Sequence, residues 1–238
     1  MKNIMLPIIC FFTLSTPVQA QNPADAVINK YITAIGGAEN CQKIHSMLVE
    51  GYYIHKKAKM AFTLQSIHLK GLRLEISAGS KKLVSIVTPE QSWTKNPMAG
   101  DTMHKDPEKE FRLKLDDLDI QGDVVDYKTK GSTVHYLGKW EENKNTYDKI
   151  LLITANHTKK TYYFDQKTGL IYKMEGLSYN NGMLANAVTL YRNYKLNEGV
   201  LMPYELDYTC DQGCAMTIII TKQEINAPVD ESAFSLNH

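Results

Sequence analysis

The stretch SMLVEGYYIHKKAKMAFTLQSIHLKGLRLEISAGSKKLVSIV, residues 46–87, decides the architecture. It divides into four strand-like runs, Met47–His55, Met60–Lys70, Leu72–Ser77 and Lys82–Val87, separated by Lys56-Lys57, Gly71 and Gly79-Ser80. Leu72, Leu74 and Ile76 alternate with Arg73, Glu75 and Ser77. A period of two gives that strand one dry face and one wet face, the habit of antiparallel sheets. Phe62 and Leu64 share a parity that Ile67 and Leu69 do not, which predicts a bulge or bend near Gln65-Ser66. Strong bending is what a closing barrel requires.

Seven more runs continue the pattern downstream: Val134–Trp140, Asp148–Ala155, Lys160–Asp165, Leu170–Glu175, Ala187–Tyr194, Tyr204–Cys210 and Ala215–Lys222. Strands at such spacing read as an antiparallel barrel or sandwich. One segment breaks the period. Lys105 to Val125 opens with Pro107 and acidic residues and places Phe111, Leu115 and Leu118 at four and three, which predicts a short amphipathic helix or helical flap. The stretch before it, Asn96 to Asp101, reads as loop with Met98 as an adaptable apolar side chain. Upstream, Asn22-Pro23 offers a cap followed by proline at the first helical position, and Val27, Ile28, Tyr31, Ile32 and Ile35 form an apolar stripe that Gly36-Gly37 terminates.

The first twenty residues carry Lys2, an apolar stretch from Ile4 to Leu14 and a polar tail ending Val18-Gln19-Ala20. This is the pattern of a secretory signal peptide over residues 1–20, leaving 21–238 as a single domain. No later segment approaches the about twenty apolar residues of a membrane span, so the mature chain is expected to be periplasmic without a transmembrane anchor. The full chain has Lys+Arg 27 against Asp+Glu 26. That balance argues against a nucleic-acid partner, which needs a basic excess, and against electrostatic attraction to anionic membranes.

Chemistry-bearing motifs are few. The sequence holds no glycine-rich phosphate loop, no His-Glu-x-x-His and no Gly-x-Ser-x-Gly elbow. Its seven histidines show no metal-ligand spacing. No catalytic residue, metal or cofactor is therefore assigned. Asp116-Asp117-Leu118-Asp119 has the makings of a carboxylate pair for acid/base work, but a solvated helix face accounts for it. Cys210 and Cys214 flank Asp211-Gln212-Gly213 between two strand-like runs, and a hairpin turn there would bring the sulfurs together in an oxidising compartment. The alternatives are two free thiols or half of a metal site, the latter without further ligands in view. Cys41 is left as a buried apolar side chain. A curved apolar face crossed by amphipathic helices encloses a hydrophobic interior, and patterning does not decide whether the helices fill it.

Several stretches in order resemble the bacterial periplasmic lipoprotein carriers of the outer-membrane lipoprotein-sorting (LolA-like) superfamily. These are the opening helix with Gly36-Gly37 and Ile44 to Gly51, then Leu72-Arg73-Leu74-Glu75, Lys81 to Val87 and Trp93-Thr94-Lys95-Asn96-Pro97, and later Phe164 to Ile171 and Ile225 to Phe234. The chain departs from the pattern at Pro89-Glu90-Gln91, where Asp-Gly is usual, and at Lys95, where an aromatic is usual. The resemblance implies a mainly β fold with short helices, a half-open, strongly curved antiparallel β-barrel with a helical lid. It further implies a non-enzymatic protein holding lipid or lipoprotein acyl chains in an apolar cavity. Phe62, Leu64, Trp93, Met98, Phe111 and Leu115 are the candidate lining, and Arg73 the candidate lid contact. A cell-envelope module with a filled barrel that binds other envelope proteins is the alternative, and a lipid hydrolase is a more distant one.

Overall fold

The computed structural model describes residues 22–97, 100, 102–180 and 182–236. Residues 1–20, expected from the sequence to be a signal peptide, and Met98 lie outside these residues. Among the described residues thirteen antiparallel strands form one continuous sheet. They are β1 (Ser46–His55), β2 (Ala58–Ile67), β3 (Gly71–Ala78), β4 (Lys81–Val87), β5 (Ser92–Lys95), β6 (Met103–Lys105), β7 (Thr133–Glu142), β8 (Asn145–Ile153), β9 (Lys159–Asp165), β10 (Ile171–Asn180), β11 (Met183–Asn197), β12 (Val200–Cys210) and β13 (Ala215–Ile225). Their spatial order is β6-β5-β4-β3-β2-β1-β13-β12-β11-β10-β9-β8-β7. The chain starts in the middle, walks outward to β6, crosses to the far edge at β7 and walks back until β13 pairs with β1. β6 and β7 do not pair with each other, so the barrel is half-open.

Three α-helices among the described residues accompany the sheet: α1 (Pro23–Ala34), α2 (Ala38–Gln42) and α3 (Glu108–Leu115). At the start of α1 the Asn22 side chain accepts a hydrogen bond from the Ala24 amide, and Pro23 occupies the first turn. The apolar stripe of α1 buries Ala24 and Ile28 against Ile150, Leu152, Tyr162 and Phe164 on one arm of the sheet. Gly36, at φ 110°, lets the helix end approach the β11–β12 turn so closely that a Cβ there would meet the Gly199 carbonyl at 2.0 Å.

The ladders shift register at Glu50/Gly51, Tyr136/Gly138 and Ile171/Lys173. These are the bends that curl the sheet. The expected bulge at Gln65-Ser66 is absent: β2 pairs in unbroken register with β1 and with β3 through both residues. The parity switch has a different cause. Phe62 and Leu64 face the barrel interior, whereas Ile67 faces outward and packs beneath the C-terminal segment with Ile86, Trp93 and Phe234. Two cores, one on each face, mimic a bulge in the sequence. The three residues of β6 were too few to register as a period.

At Gly51 an added Cβ would meet the Ile219 carbonyl at 2.1 Å and the Phe62 ring at 2.8 Å. Gly51→Ala should therefore cost about 1–3 kcal/mol in urea-induced unfolding. Gly176→Ala, whose nearest neighbour is the flexible Met174 side chain at 3.3 Å, should cost under about 1 kcal/mol.

Candidate functional site: the barrel interior

The curled sheet brings side chains from its two arms face to face. Phe62 and Leu64 of β2 and Leu72 and Leu74 of β3 look across a cavity of about 510 Å³ at Met174 of β10, Tyr191 and Tyr194 of β11 and Pro203 of β12. A second cavity of about 510 Å³ lies toward the hairpin turns of β1–β2 and β3–β4 and is lined by Met60, Ile76, Leu83, Tyr208, Met216 and Ile218 among others. Tyr53 borders both, and its ring lies 4.9 Å from that of Phe62. Burial, reinforced by the charge of Asp117, pushes the Tyr53 hydroxyl up to about 12.

The segment that carries the chain from β6 to β7 forms the cover. α3 contacts both β4 and β10, spanning the interior from one arm to the other. None of its residues is buried. After it comes a one-turn 3-10 helix, Asp116–Leu118, and an irregular stretch whose Val124 and Val125 enter the core. This stretch is tied to both arms. The Leu69 amide donates to the Leu118 carbonyl at 2.9 Å, and the Gln121 side-chain amide donates to the Ile44 carbonyl at 3.1 Å. On the other arm Lys160 of β9 reaches Asp123 at 2.6 Å and Asp116 at 3.3 Å, while the Tyr162 hydroxyl donates to the same Asp123 oxygen at 2.6 Å.

The solvated face expected from the sequence holds for Asp117, which is exposed, but not for Asp116. Asp116 is buried, and Asp116, Asp117, Asp119 and Asp123 all line the first cavity. Chain curvature turns the Asp-Asp-Leu-Asp turn inward toward Lys160, a partner forty residues away that no local period reveals. Burial works to lower the Lys160 pKa, but Asp123, Asp116 and Asp117 outweigh it and raise it. Asp117 is pushed up to about 6, first by the surrounding protein, with Asp123 and Asp116 adding to the effect and Lys160 opposing it. Its side chain is nevertheless open to water inside the cavity, which screens these charges.

The sequence-derived candidates separate into three groups. Phe62 and Leu64 line the first cavity. Leu115 borders a smaller pocket of about 220 Å³ beside it, and Phe111 sits half-buried on α3. Trp93 faces the other way: it pairs with Ile86 and packs with Phe234 on the outer face. Arg73, also on the outer face, binds Glu75 at 2.8 Å and the Ala233 carbonyl at 3.2 Å, so these contacts hold the C-terminal segment rather than α3. Sequence reasoning missed the arm formed by β10 to β12, because facing residues such as Met174 and Pro203 become neighbours of Leu72 and Leu74 only through the curl. Cys210 and Cys214 form a disulfide across the β12–β13 turn, with Cα atoms 5.1 Å apart, and Cys41 is free and buried. The Ser66 hydroxyl is buried with no hydrogen-bond partner among the described residues.

No protein-family model matches the sequence, and no curated protein matches it. Solved structures do share its fold. A LolA superfamily protein from Nitrosomonas europaea superposes with a TM-score of 0.60 at 12% identity, over 90% of this chain and 98% of that one. A DUF1329 family protein from Desulfovibrio piger gives 0.60 at 10% identity, over 91% and 99%. A protein domain from Vibrio parahaemolyticus described as outer-membrane lipoprotein-sorting gives 0.55 at 14%, over 89% and 96%. At these identities the likeness is one of fold.

Two consequences of the buried charges are measurable. Lys160→Met leaves Asp116 and Asp123 buried without their cation, so it should cost about 3–5 kcal/mol at neutral pH. Titration to acid, which protonates the orphaned carboxylates, should shrink the deficit in chemical denaturation. Asp117 has a folded pKa above its unfolded value of 3.8, so its contribution favours folding when protonated and is lost as pH rises through about 6. Asp117→Asn should thus stabilise the fold at pH 8 but not at pH 4, by less than about 1 kcal/mol in chemical denaturation given the exposure of Asp117.

Proposed function

We propose that this chain, which has the fold of the LolA superfamily, is a non-enzymatic periplasmic protein that holds the acyl chains of a lipid or of a lipoprotein inside its half-barrel. The observation that carries the reading is the pair of cavities of about 510 Å³ meeting at Tyr53. Volumes of about 300–1,000 Å³ are those of ligand-holding sites, and a barrel serving only as a scaffold would have side chains there. The second cavity is walled chiefly by Met60, Ile76, Leu83, Met216 and Ile218, groups that offer dispersion and little directional bonding. Such walls suit a hydrocarbon tail.

Energetically the exchange is between two greasy environments. Each methylene moved from water gains about 0.8 kcal/mol, but a tail leaving a bilayer has already gained that. A single fourteen-carbon chain binds membranes with an association constant of only about 10⁴ M⁻¹. A cavity need offer little more to compete. α3 supports reversibility: with no buried residue it can be displaced at modest cost, while Lys160 keeps the following segment fixed to the sheet.

The test is displacement of a fluorescent fatty acid such as cis-parinaric acid from the purified protein by phospholipid. Saturable emission is expected. Leu74→Arg, which places a charge on the wall of the first cavity, should weaken it at least about tenfold, whereas Leu196→Arg at a position 72% exposed should not. Equal emission from both variants, or none from the parent chain, would dismiss the acyl-chain reading.

A further inference from the structure

We propose that the end of the half-barrel bearing the β1–β2, β3–β4, β10–β11 and β12–β13 turns docks on a lipid bilayer containing anionic headgroups, presenting the mouth of the second cavity to it. The inference rests on the acyl-chain reading above and adds the surface with which cargo is exchanged. Antiparallel order puts these four turns at one end of the sheet. Three of them stand directly beside walls of the cavity. Lys59 precedes Met60, Lys82 precedes Leu83, and the disulfide turn ends in Cys214, each of these successors being a lining residue. The fourth is stitched to the third: the Gln212 side chain donates to the Leu184 carbonyl at 2.8 Å, and the Asn186 side chain to Asp211 at 2.7 Å.

Two kinds of side chain mark this rim. Lys56, Lys57, Lys59, Lys81 and Lys82 are all exposed. Lys82 is paired with Glu75 and Lys59 lies over the Tyr52 ring, while Lys56, Lys57 and Lys81 take part in no ion pair among the described residues. The exposed carboxylate described in these turns, Asp211, is already held by Asn186. The opposite end mixes signs, with Glu90, Asp165 and Glu198 beside Lys70, Lys144 and Lys167. A nearly neutral chain therefore has one basic end. On the same rim Leu177, Met183 and Leu184 stand 49%, 59% and 43% exposed. Lysines on one arm of the rim and exposed aliphatic tips on the other match an anionic headgroup layer over hydrocarbon. A soluble acidic protein would satisfy the lysines but would leave no reason for an apolar mouth to open among them.

Co-sedimentation with vesicles tests this, using phosphatidylcholine with and without phosphatidylglycerol. The protein should bind the anionic vesicles and release them as salt rises. Changing Lys56, Lys57 and Lys81 to Gln should weaken binding by about fivefold for each lysine, and Met183→Ser with Leu184→Ser by about a further tenfold. The triple change Lys43→Gln, Lys144→Gln and Lys167→Gln at the other end should leave it unaltered. Fatty-acid emission, read in parallel without vesicles, should be the same for all three variants. Intact emission with no vesicle binding, or with equal binding by the rim and control variants, overturns the docking surface and leaves the cavity standing. Rim-dependent vesicle binding without emission keeps the surface and removes the acyl cargo.

Discussion

The pairing of β1 with β13 is the contact on which the molecule depends. It joins residues 46–55 to residues 215–225, the most distant strands in the chain, and sets Gly51 opposite Ile220 and against the Ile219 carbonyl, where no side chain larger than hydrogen fits. Without that junction there are two separate meanders, β1 to β6 and β7 to β13, each with an apolar face in water. With it, and with the register shift at Glu50/Gly51, the two meanders become arms of one curled sheet whose dry faces oppose each other. Three short helices cannot cover so wide a sheet. Curling buries what they leave uncovered, and the interior space follows from its incomplete closure.

What the sequence discloses is whatever repeats locally. The period of Leu72, Leu74 and Ile76, the cap at Asn22 and the turn between Cys210 and Cys214 are all written within a few residues, and the sheet was legible from them. What it hides depends on curvature. Trp93 reads like Phe62, an aromatic on a strand, yet the ladder through Ile86 turns it to the outer face under Phe234. Asp116 reads as part of a wet helix edge, yet it is buried and looks inward at a lysine from β9. Ile67 and Leu69 break the parity of Phe62 and Leu64 because the C-terminal segment supplies a second core at Ile67, and Leu69 stands exposed in a turn at φ 56°. Each of these outcomes was set by a partner remote in sequence, which periodicity does not encode.

The cover combines a firm anchor with a loose flap. Lys160, Asp123 and Tyr162 hold the crossing segment through charges withdrawn from water, an arrangement costly to break at one partner. α3, next to it, contributes half-buried Phe111 and Leu115. Its Lys114 nonetheless donates to Thr94 of β5 at 3.0 Å and to the buried Asp106 at 2.7 Å, so the helix is tethered near its C-terminal end.

A closed barrel has its girth fixed by the number and stagger of its strands. This sheet ends in two unpaired margins, β6 and β7, and nothing in its hydrogen bonding dictates how far apart they stand. Its bore is set instead by the strap that crosses it, so a small rotation of one arm widens or narrows the channel without breaking a ladder bond. The half-barrel is in this sense a clasp rather than a tube.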